Sequence, residues 1–431
     1  MTLVDDTHVA APDEGPPPGG GLRAITSFQR AILIAMGGLV LLSIVRSIAD
    51  APDLTSAGTW GAALRLAVPI GLAALGGLYA ERSGVVNIGL EGMMILGTWF
   101  GAWGAWQFGP WQGVAIGLLG GMAGGLVHAI ATVNFGVDQI ISGVAINILG
   151  FGVARYLSVI TYDASTGGGA VQSPQITEKI GTIDVPLLSG GLGGPDALGW
   201  LDAKDWFFVS DVAGILSGFT SNLSWFTLLA VLLFPFTAWL LWKTRFGLRL
   251  RSVGENPAAA ESLGVNVYRY RYAGVLISGA MAGLGGAFLS IVASNIYREG
   301  QTGGRGFIGL AAMIFGNWNP FGAAAGAGLF GFADALNLRS DEAIQALLLL
   351  VAILAGVFAV RAAIRSQWLS AIVSALFGAA FLIFWIVSDE VPRQFVSVTP
   401  HIVTLLVLAF ATQRLRPPAA EGKPYRKGEA R

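Results

Sequence analysis

Apolar residues fall into stretches about twenty residues long, separated by short polar breaks, which is the length an α-helix needs to cross a bilayer core about 30 Å thick. The stretches run over 31–49, 61–80, 85–106, 111–133, 137–160, 223–242 and 272–293. They continue with a short, Gly-rich 306–316, then 320–336, 343–360, 368–387 and 396–412. Ten-residue segments of strict alternation, the mark of a membrane β-barrel, do not occur. The pattern predicts an all-α polytopic membrane protein with about 10–12 transmembrane helices. Two longer polar segments interrupt it, 161–222 and 243–271.

Composition agrees and narrows the function. Only 12% of the 431 residues are charged, against about 25% in soluble domains. Basic and acidic residues balance at 26 each, so no basic excess points to nucleic acid. Cys is absent, which removes disulfides, thiolate zinc sites and thiol catalysis. His8, His128 and His401 lie far apart in sequence. No GxxxxGK[ST] phosphate loop occurs, so the chain does not bind ATP in that way. No HExxH and no Ser/His/Asp arrangement stands out, so no catalytic residue and no metal site is predicted.

The first 30 residues contain APDEGPPPGGG ahead of any apolar run. This reads as a disordered cytoplasmic tail and not as a cleavable signal. With twelve crossings both termini share a side, and Lys and Arg choose which one. Segments on the terminal side hold 17 basic residues, including six in 243–271, Arg361, Arg365 and six after residue 412. Segments on the opposite side hold six. Both termini are therefore placed in the cytoplasm, with 413–431 as a basic cytoplasmic tail. The sum also requires 306–336 to be two elements turning at Asn317–Pro320, because a single crossing would put Arg361 and Arg365 outside.

Within 243–271 the run FGLRLRSVGENPAAAESLG (246–264) is compact. Asn256 is a good N-cap, Pro257 suits the first helical position, and Ala258 and Ala259 favour helix. Glu261 lies in the same turn, and Gly264 can take the left-handed conformation that ends it. A short capped helix held near the membrane suits engagement by a partner that changes shape. An ordinary structured loop carrying positive-inside charge fits the same residues.

The second compact run is ERSGVVNIGLEGMM (81–94). Its glycines allow close approach or a helix break. Asn87 and Glu91, four apart, are expected on one helical face, and a carboxylate inside a span faces a partner or a watery path. Gln139 and Asn147 lie about two turns apart in the fifth stretch, with Asp138 at its start. These four, Asn87, Glu91, Gln139 and Asn147, are candidates for a substrate pathway. Helix-to-helix hydrogen bonding is the competing reading for each, and for His128 and Asp334. Arg46, Arg65 and Arg155 are expected to snorkel. Trp60, Trp103, Trp106 and Trp242 read as interface anchors.

An internal echo links Ile88, Gly89, Leu90 and Trp99 to Ile308, Gly309, Leu310 and Trp318, and Gly125 and His128 to Gly331 and Asp334. The partners cross in opposite directions, as in inverted-repeat transporters. Chance similarity between Gly/Ala-rich helices gives the same pattern.

At GENPAAAESLG and the residues before it, the chain resembles the cytoplasmic coupling segment of ABC-importer permeases of the branched-chain amino acid, ribose and simple-sugar group. ERSGVVNIGLEGMM, VDQIISGVAINILGFG, GGRGFIGLAAMIFGNWNPFGA and the tail motif GKPYRK are similar to its nucleoside (simple-sugar) permease branch. The resemblance covers roughly 60–336 and 396–427. It implies a permease subunit in the bacterial cytoplasmic (inner) membrane, importing nucleosides by alternating access. The implied partners are a cytoplasmic ABC ATPase that carries ATP and Mg, a second permease subunit and an extracytoplasmic substrate-binding lipoprotein. No cofactor is implied in this chain. Gly254, Glu255, Asn256, Pro257, Ala258, Ala259, Glu261 and Gly264 would dock in the ATPase, and 161–222 would neighbour the lipoprotein. The stretch 343–387 departs from the family pattern as an added pair of spans, with Arg361 and Arg365 between them. A simple-sugar permease, a proton- or sodium-coupled secondary transporter and a membrane scaffold remain as alternatives.

Overall fold

The computed structural model describes residues 27–336, 341–388 and 415–428. Residues 1–26, His401 and the predicted span 396–412 lie outside them. The long helices are α1 (Ser27–Ala49), α2 (Ala57–Arg82), α3 (Leu90–Phe108), α4 (Pro110–Ala129) and α5 (Gln139–Thr161). The segment after α5 adds two short helices, α6 (Ala197–Asp202) and α7 (Val209–Thr220). Then come α8 (Trp225–Lys243), α9 (Arg245–Glu255), α10 (Pro257–Ser262), α11 (Val267–Phe288), α12 (Arg305–Phe315) and α13 (Pro320–Leu336). The last described helices are α14 (Asp341–Ile364) and α15 (Trp368–Val387). Both α4 and α11 run on into π-helical turns, at Ile130–Asn134 and Leu289–Ala293. Seven of the described helices are long and apolar enough to cross a membrane.

Local chemistry explains the boundaries. Ser56, Asp138, Ser224, Thr244, Asn256 and Asn266 each cap the helix that follows, accepting from amides of its first turn. Asp138 thus has a local role. Three expectations need correction. The third stretch does not begin its helix at 85: residues 83–89 are unwound and α3 starts at Leu90. The polar segment 161–222 is not all loop, since α7 packs in it with Ser210, Asp211, Ala213 and Gly214 buried. The segment 243–271 holds two short helices, because Asn256 closes α9 and caps α10 at once. By contrast, α12 and α13 turn at 316–319 as predicted, with Asn317 and Trp318 in the left-handed region. Eleven residues of α12 span about 16 Å, so the helix passes from one end of the bundle to the other only together with its non-helical lead-in, which meets the 161–222 segment at Arg298 and Glu299.

The core is built on backbone proximity. Between helices in a bilayer there is no hydrophobic force, so small residues that allow close van der Waals contact drive packing. α4 lies against α11 with Gly121 so near that an added Cβ would sit 2.3 Å from the Gly279 carbonyl oxygen and 2.5 Å from the Gly283 Cα. In the same way Gly331 of α13 meets α2 at the Ala63 carbonyl. So α4 and α13, which carry the later part of the sequence echo, each pack on the long helix that precedes the other's segment, α4 on α11 and α13 on α2. Replacing Gly121 with valine is therefore expected to leave little folded protein in the membrane. Wild-type abundance in a membrane-fraction blot would show instead that α4 and α11 can separate without loss.

Two groups of segments collect at opposite ends of the bundle. At one end are Arg82, α9, α10, the 316–319 turn and residues 415–428. At the other is the 161–222 segment. It is tied to α1 by Arg46, which pairs with Asp205 at 2.6 Å and Asp211 at 3.1 Å. Arg155 pairs with Glu299 at 2.6 Å, so Arg46 and Arg155 are bridging residues and do not merely snorkel. Arg65 is exposed. Trp60 packs between Phe219 and Phe332, and Trp99, Trp103 and Trp106 join a cluster around Tyr162. Of the expected anchors only Trp242 is substantially exposed, with Arg82 and Arg251 over its ring. α14 and α15 pack chiefly on each other, with α14 also touching α1 and the turn at Pro52–Leu54.

Candidate functional site

The unwound stretch 83–89 leaves backbone groups that no helix satisfies, and inside a membrane protein such groups need partners. Four side chains singled out by their polarity provide them. The Val86 amide donates to Gln139 Oε1 at 2.6 Å. Asn147 Nδ2 donates to the Ile88 carbonyl at 3.1 Å, and its Oδ1 accepts from the Gly92 amide at 2.8 Å. Asn87 Oδ1 accepts from the Gly89 amide at 3.0 Å while its Nδ2 donates to Ser278 Oγ at 2.8 Å. His128 completes the set: its Nε2 faces the Val86 carbonyl at 3.1 Å and its Nδ1 faces Ser142 Oγ at 2.8 Å. Since a carbonyl can only accept, Nε2 carries the proton and Nδ1 accepts from Ser142.

Asn87 and Glu91 do not share a helical face, because the helix begins between them. Glu91 lies in the first turn of α3 and works across to α12. Its Oε1 accepts from Thr302 Oγ1 at 2.6 Å and the Gly304 amide at 3.0 Å, and its Oε2 accepts from the Gly306 amide at 2.7 Å. A carboxylate thus sits on the orphan amides at the start of α12, where the helix dipole favours it. Arg305, the first residue of α12, pairs with Asp334 at 3.3 Å. His128 and Asp334, matched in the sequence echo, thus reach comparable places: His128 holds the lead-in to α3 at Val86, and Asp334 pairs with the first residue of α12. Asn87, Asn147 and Gln139 Oε1 hold the break itself, and Glu91, just past it, holds the start of α12.

The 254–264 segment abuts this break from the end of the bundle. Gly254 is buried against α2 so closely that a Cβ would sit 2.3 Å from the Arg82 carbonyl oxygen and 3.2 Å from the Gly84 amide. Glu255 lies 3.9 Å from Arg82. Arg82 in turn donates to the Trp318 carbonyl at 2.8 Å, and Trp318 Nε1 donates to Glu81 at 2.5 Å. Asn256 caps α10 through the Ala259 amide at 3.0 Å, with Pro257 at its first position. Ala258 and Ala259 are exposed, Glu261 is half-buried, and Gly264 has φ +80° with nothing near it. Ala260 is buried against Val253 and Val267.

Sequence reasoning missed Leu263, which is 84% exposed at the end of α10. A leucine at the tip of a small-residue helix had a signal, its place in the capped run. It also missed Arg82 and Trp318, whose roles depend on contacts more than two hundred residues apart. Among the described residues no cluster of three or more His, Asp or Glu is placed to hold a metal ion.

Residues 61–355 match the profile of the branched-chain amino acid transport system permease component family. The chain is similar to the guanosine ABC transporter permease protein NupQ of Bacillus subtilis, at 35% identity over 85% of this chain and 96% of the relative. It is similar to the nucleoside ABC transporter permease protein NupC of Lactococcus lactis, at 34% identity over 84% of this chain and 94% of the relative. It is also 34% identical to the putative glucose ABC transporter permease protein TsgC13 of Haloferax volcanii, over 67% of this chain and 79% of that one. No solved structure matches the chain.

Proposed function

Because the chain belongs to the branched-chain amino acid transport system permease family, and is a permease subunit of an ABC importer, we propose that it imports nucleosides by alternating access. The termini and the 254–264 segment face the cytoplasm. A separate ABC ATPase carries ATP and Mg and docks on Glu255–Gly264, with Leu263 as the apolar anchor in its groove. A second, related permease chain completes the path, and a substrate-binding lipoprotein delivers the nucleoside to the 161–222 side. The observation that carries the mechanism is the backbone contact of Gly254 with Arg82 and Gly84. A push on α10 cannot be absorbed in loose side chains there. It reaches the root of the unwound 83–89 stretch, and through it α3 and, by way of Glu91, α12. A discontinuous helix at the centre of a repeat is where transporters gate a path.

Similarity over nearly the full length of two permeases whose names specify guanosine or nucleosides favours nucleosides. The glucose relative keeps a sugar reading in view. Uptake of labelled guanosine by cells expressing ATPase, both permeases and lipoprotein decides among the readings. Uptake is expected to survive a protonophore and to be competed by unlabelled nucleosides but not by glucose. Competition by glucose alone would replace the substrate, and collapse with the protonophore would move the chain to secondary transport.

A further inference from the structure

The C-terminal residues 415–428 do not trail from the bundle but thread across the end that carries α9 and α10. The Ala420 amide donates to the Gly254 carbonyl at 2.9 Å, and the Ala419 amide to Glu255 Oε2 at 3.2 Å. Pro418 and Ala420 are buried. The Arg416 amide donates to Asn317 Oδ1 at 2.8 Å in the α12–α13 turn. Arg271 of α11, itself buried, donates from Nη1 to the Lys423 carbonyl at 3.1 Å and lies 5.7 Å above the Tyr425 ring. That ring also meets Tyr268 edge-on and packs with the Val253, Ala260 and Val267 cluster, and the Tyr425 hydroxyl faces Glu261 on α10. Glu421 reaches in toward Glu81 and Arg82, and burial raises its carboxyl above the usual range.

We propose that residues 415–428 are a strap that fixes the coupling segment to α2, α11 and the α12–α13 turn, with Tyr425 as its positioning residue. The physical case is one of stiffness. α10 has only six residues, fewer than an isolated helix needs to persist, and its apolar contact is the small Val253–Ala260–Val267 cluster. A force applied to so short a helix would bend it before moving α2. The strap braces it from a second side, through the Ala420-to-Gly254 backbone hydrogen bond, the Ala419 amide on Glu255, and the Tyr425 ring against Arg271 and the Val253–Ala260–Val267 cluster. Thus α9, α10 and the foot of α2 move as one body. Tyr425 touches neither substrate nor nucleotide and acts through Glu261 and Arg271. The inference rests on the coupling role given above to Glu255–Gly264.

The test is the whole complex in proteoliposomes, comparing wild type with Tyr425→Ala and Tyr425→Phe at matched permease and ATPase content. Tyr425→Ala is expected to raise ATP hydrolysed per nucleoside imported by about fivefold or more while the ATPase stays bound. Tyr425→Phe keeps the ring on Arg271 and is expected to restore most of the wild-type ratio. A purely structural tail would change abundance and leave the ratio alone, and an unchanged ratio in Tyr425→Ala overturns the strap. If Tyr425→Ala fails to assemble, the natural absence of Cys gives a second measurement. Asn317→Cys with Arg416→Cys, at the contact of the strap with the α12–α13 turn and bridged by a short dithiol-reactive linker, should import as well bridged as unbridged. Loss of import on bridging means that tail and turn must part, and that also overturns it. Should wild type hydrolyse ATP yet import no nucleoside, the substrate reading fails. The strap is then judged by whether Tyr425→Ala alters the permease's stimulation of the ATPase.

Discussion

Gly254→Val is expected to abolish nucleoside uptake while the protein still reaches the membrane. An added Cβ would meet the Arg82 carbonyl oxygen at 2.3 Å, the Arg82 carbonyl carbon at 2.9 Å and the Gly84 amide nitrogen at 3.2 Å. All three are backbone atoms, so no rotamer change relieves the overlap, and the end of α9 must lift off α2. The clash lies at the edge of the bundle, and the packing of α2, α4, α11 and α13 does not depend on it. Uptake should fall by at least about tenfold at matched abundance, while hydrolysis by the bound ATPase continues uncoupled. Asn256→Ala gives a graded comparison. It removes the cap on α10, worth about 1 kcal/mol, and should weaken uptake without ending it. Glu255→Arg sets like charges beside Arg82 and should fall between the two. Normal uptake by Gly254→Val at equal abundance would show that force does not pass through this contact.

Much of this was legible in the sequence, and the reasons differ from element to element. The capped helix at 257–262 could be read because capping is local: Asn256, Pro257 and Gly264 each act within a few residues. The α12–α13 turn could be read from charge, since only a turn keeps Arg361 and Arg365 on the predicted side. The break at 83–89 could not be placed by hydropathy, because VVNIGL is as apolar as the helix it precedes. Only Gly84 and Gly89 signalled that a break was allowed there. α7 was missed for the opposite reason, being short and amphipathic inside a polar segment rich in glycine. Asn87, Glu91, Gln139 and Asn147 were found as a group by a rule that charges and amides inside spans have partners. That the partners would be the backbone of 83–92 and the first amides of α12 is a fact of tertiary packing. The strap was out of reach, since GKPYRK reads as a basic tail until Arg271 and Glu261 are seen against it.

Glu91→Ala should cost more stability than alanine at Asn87, Gln139 or Asn147. The carboxylate is 7% exposed and serves three donors on the other repeat. Thr302 can rotate its hydroxyl toward another acceptor, but the Gly304 and Gly306 amides are fixed by the chain. Leaving the buried Gly306 amide unpaired costs roughly 1–3 kcal/mol, with a smaller loss at the half-buried Gly304 amide, and alanine is too short for any part of it to reach them. Glu91→Gln separates charge from shape. Its single amide oxygen can replace one acceptor, but the NH2 group then faces an N–H where the second oxygen stood. One donor pair is thus set against another, and the glutamine variant should recover only part of the loss. The expected order of thermal stability in detergent is wild type, then glutamine, then alanine, and uptake per folded molecule should follow the same order. A different ordering would be informative in one direction. If glutamine matches wild type in stability yet fails in transport, the charge of Glu91 acts beyond its hydrogen bonds, and the carboxylate belongs to the substrate path as well as to the scaffold that joins α3 to α12.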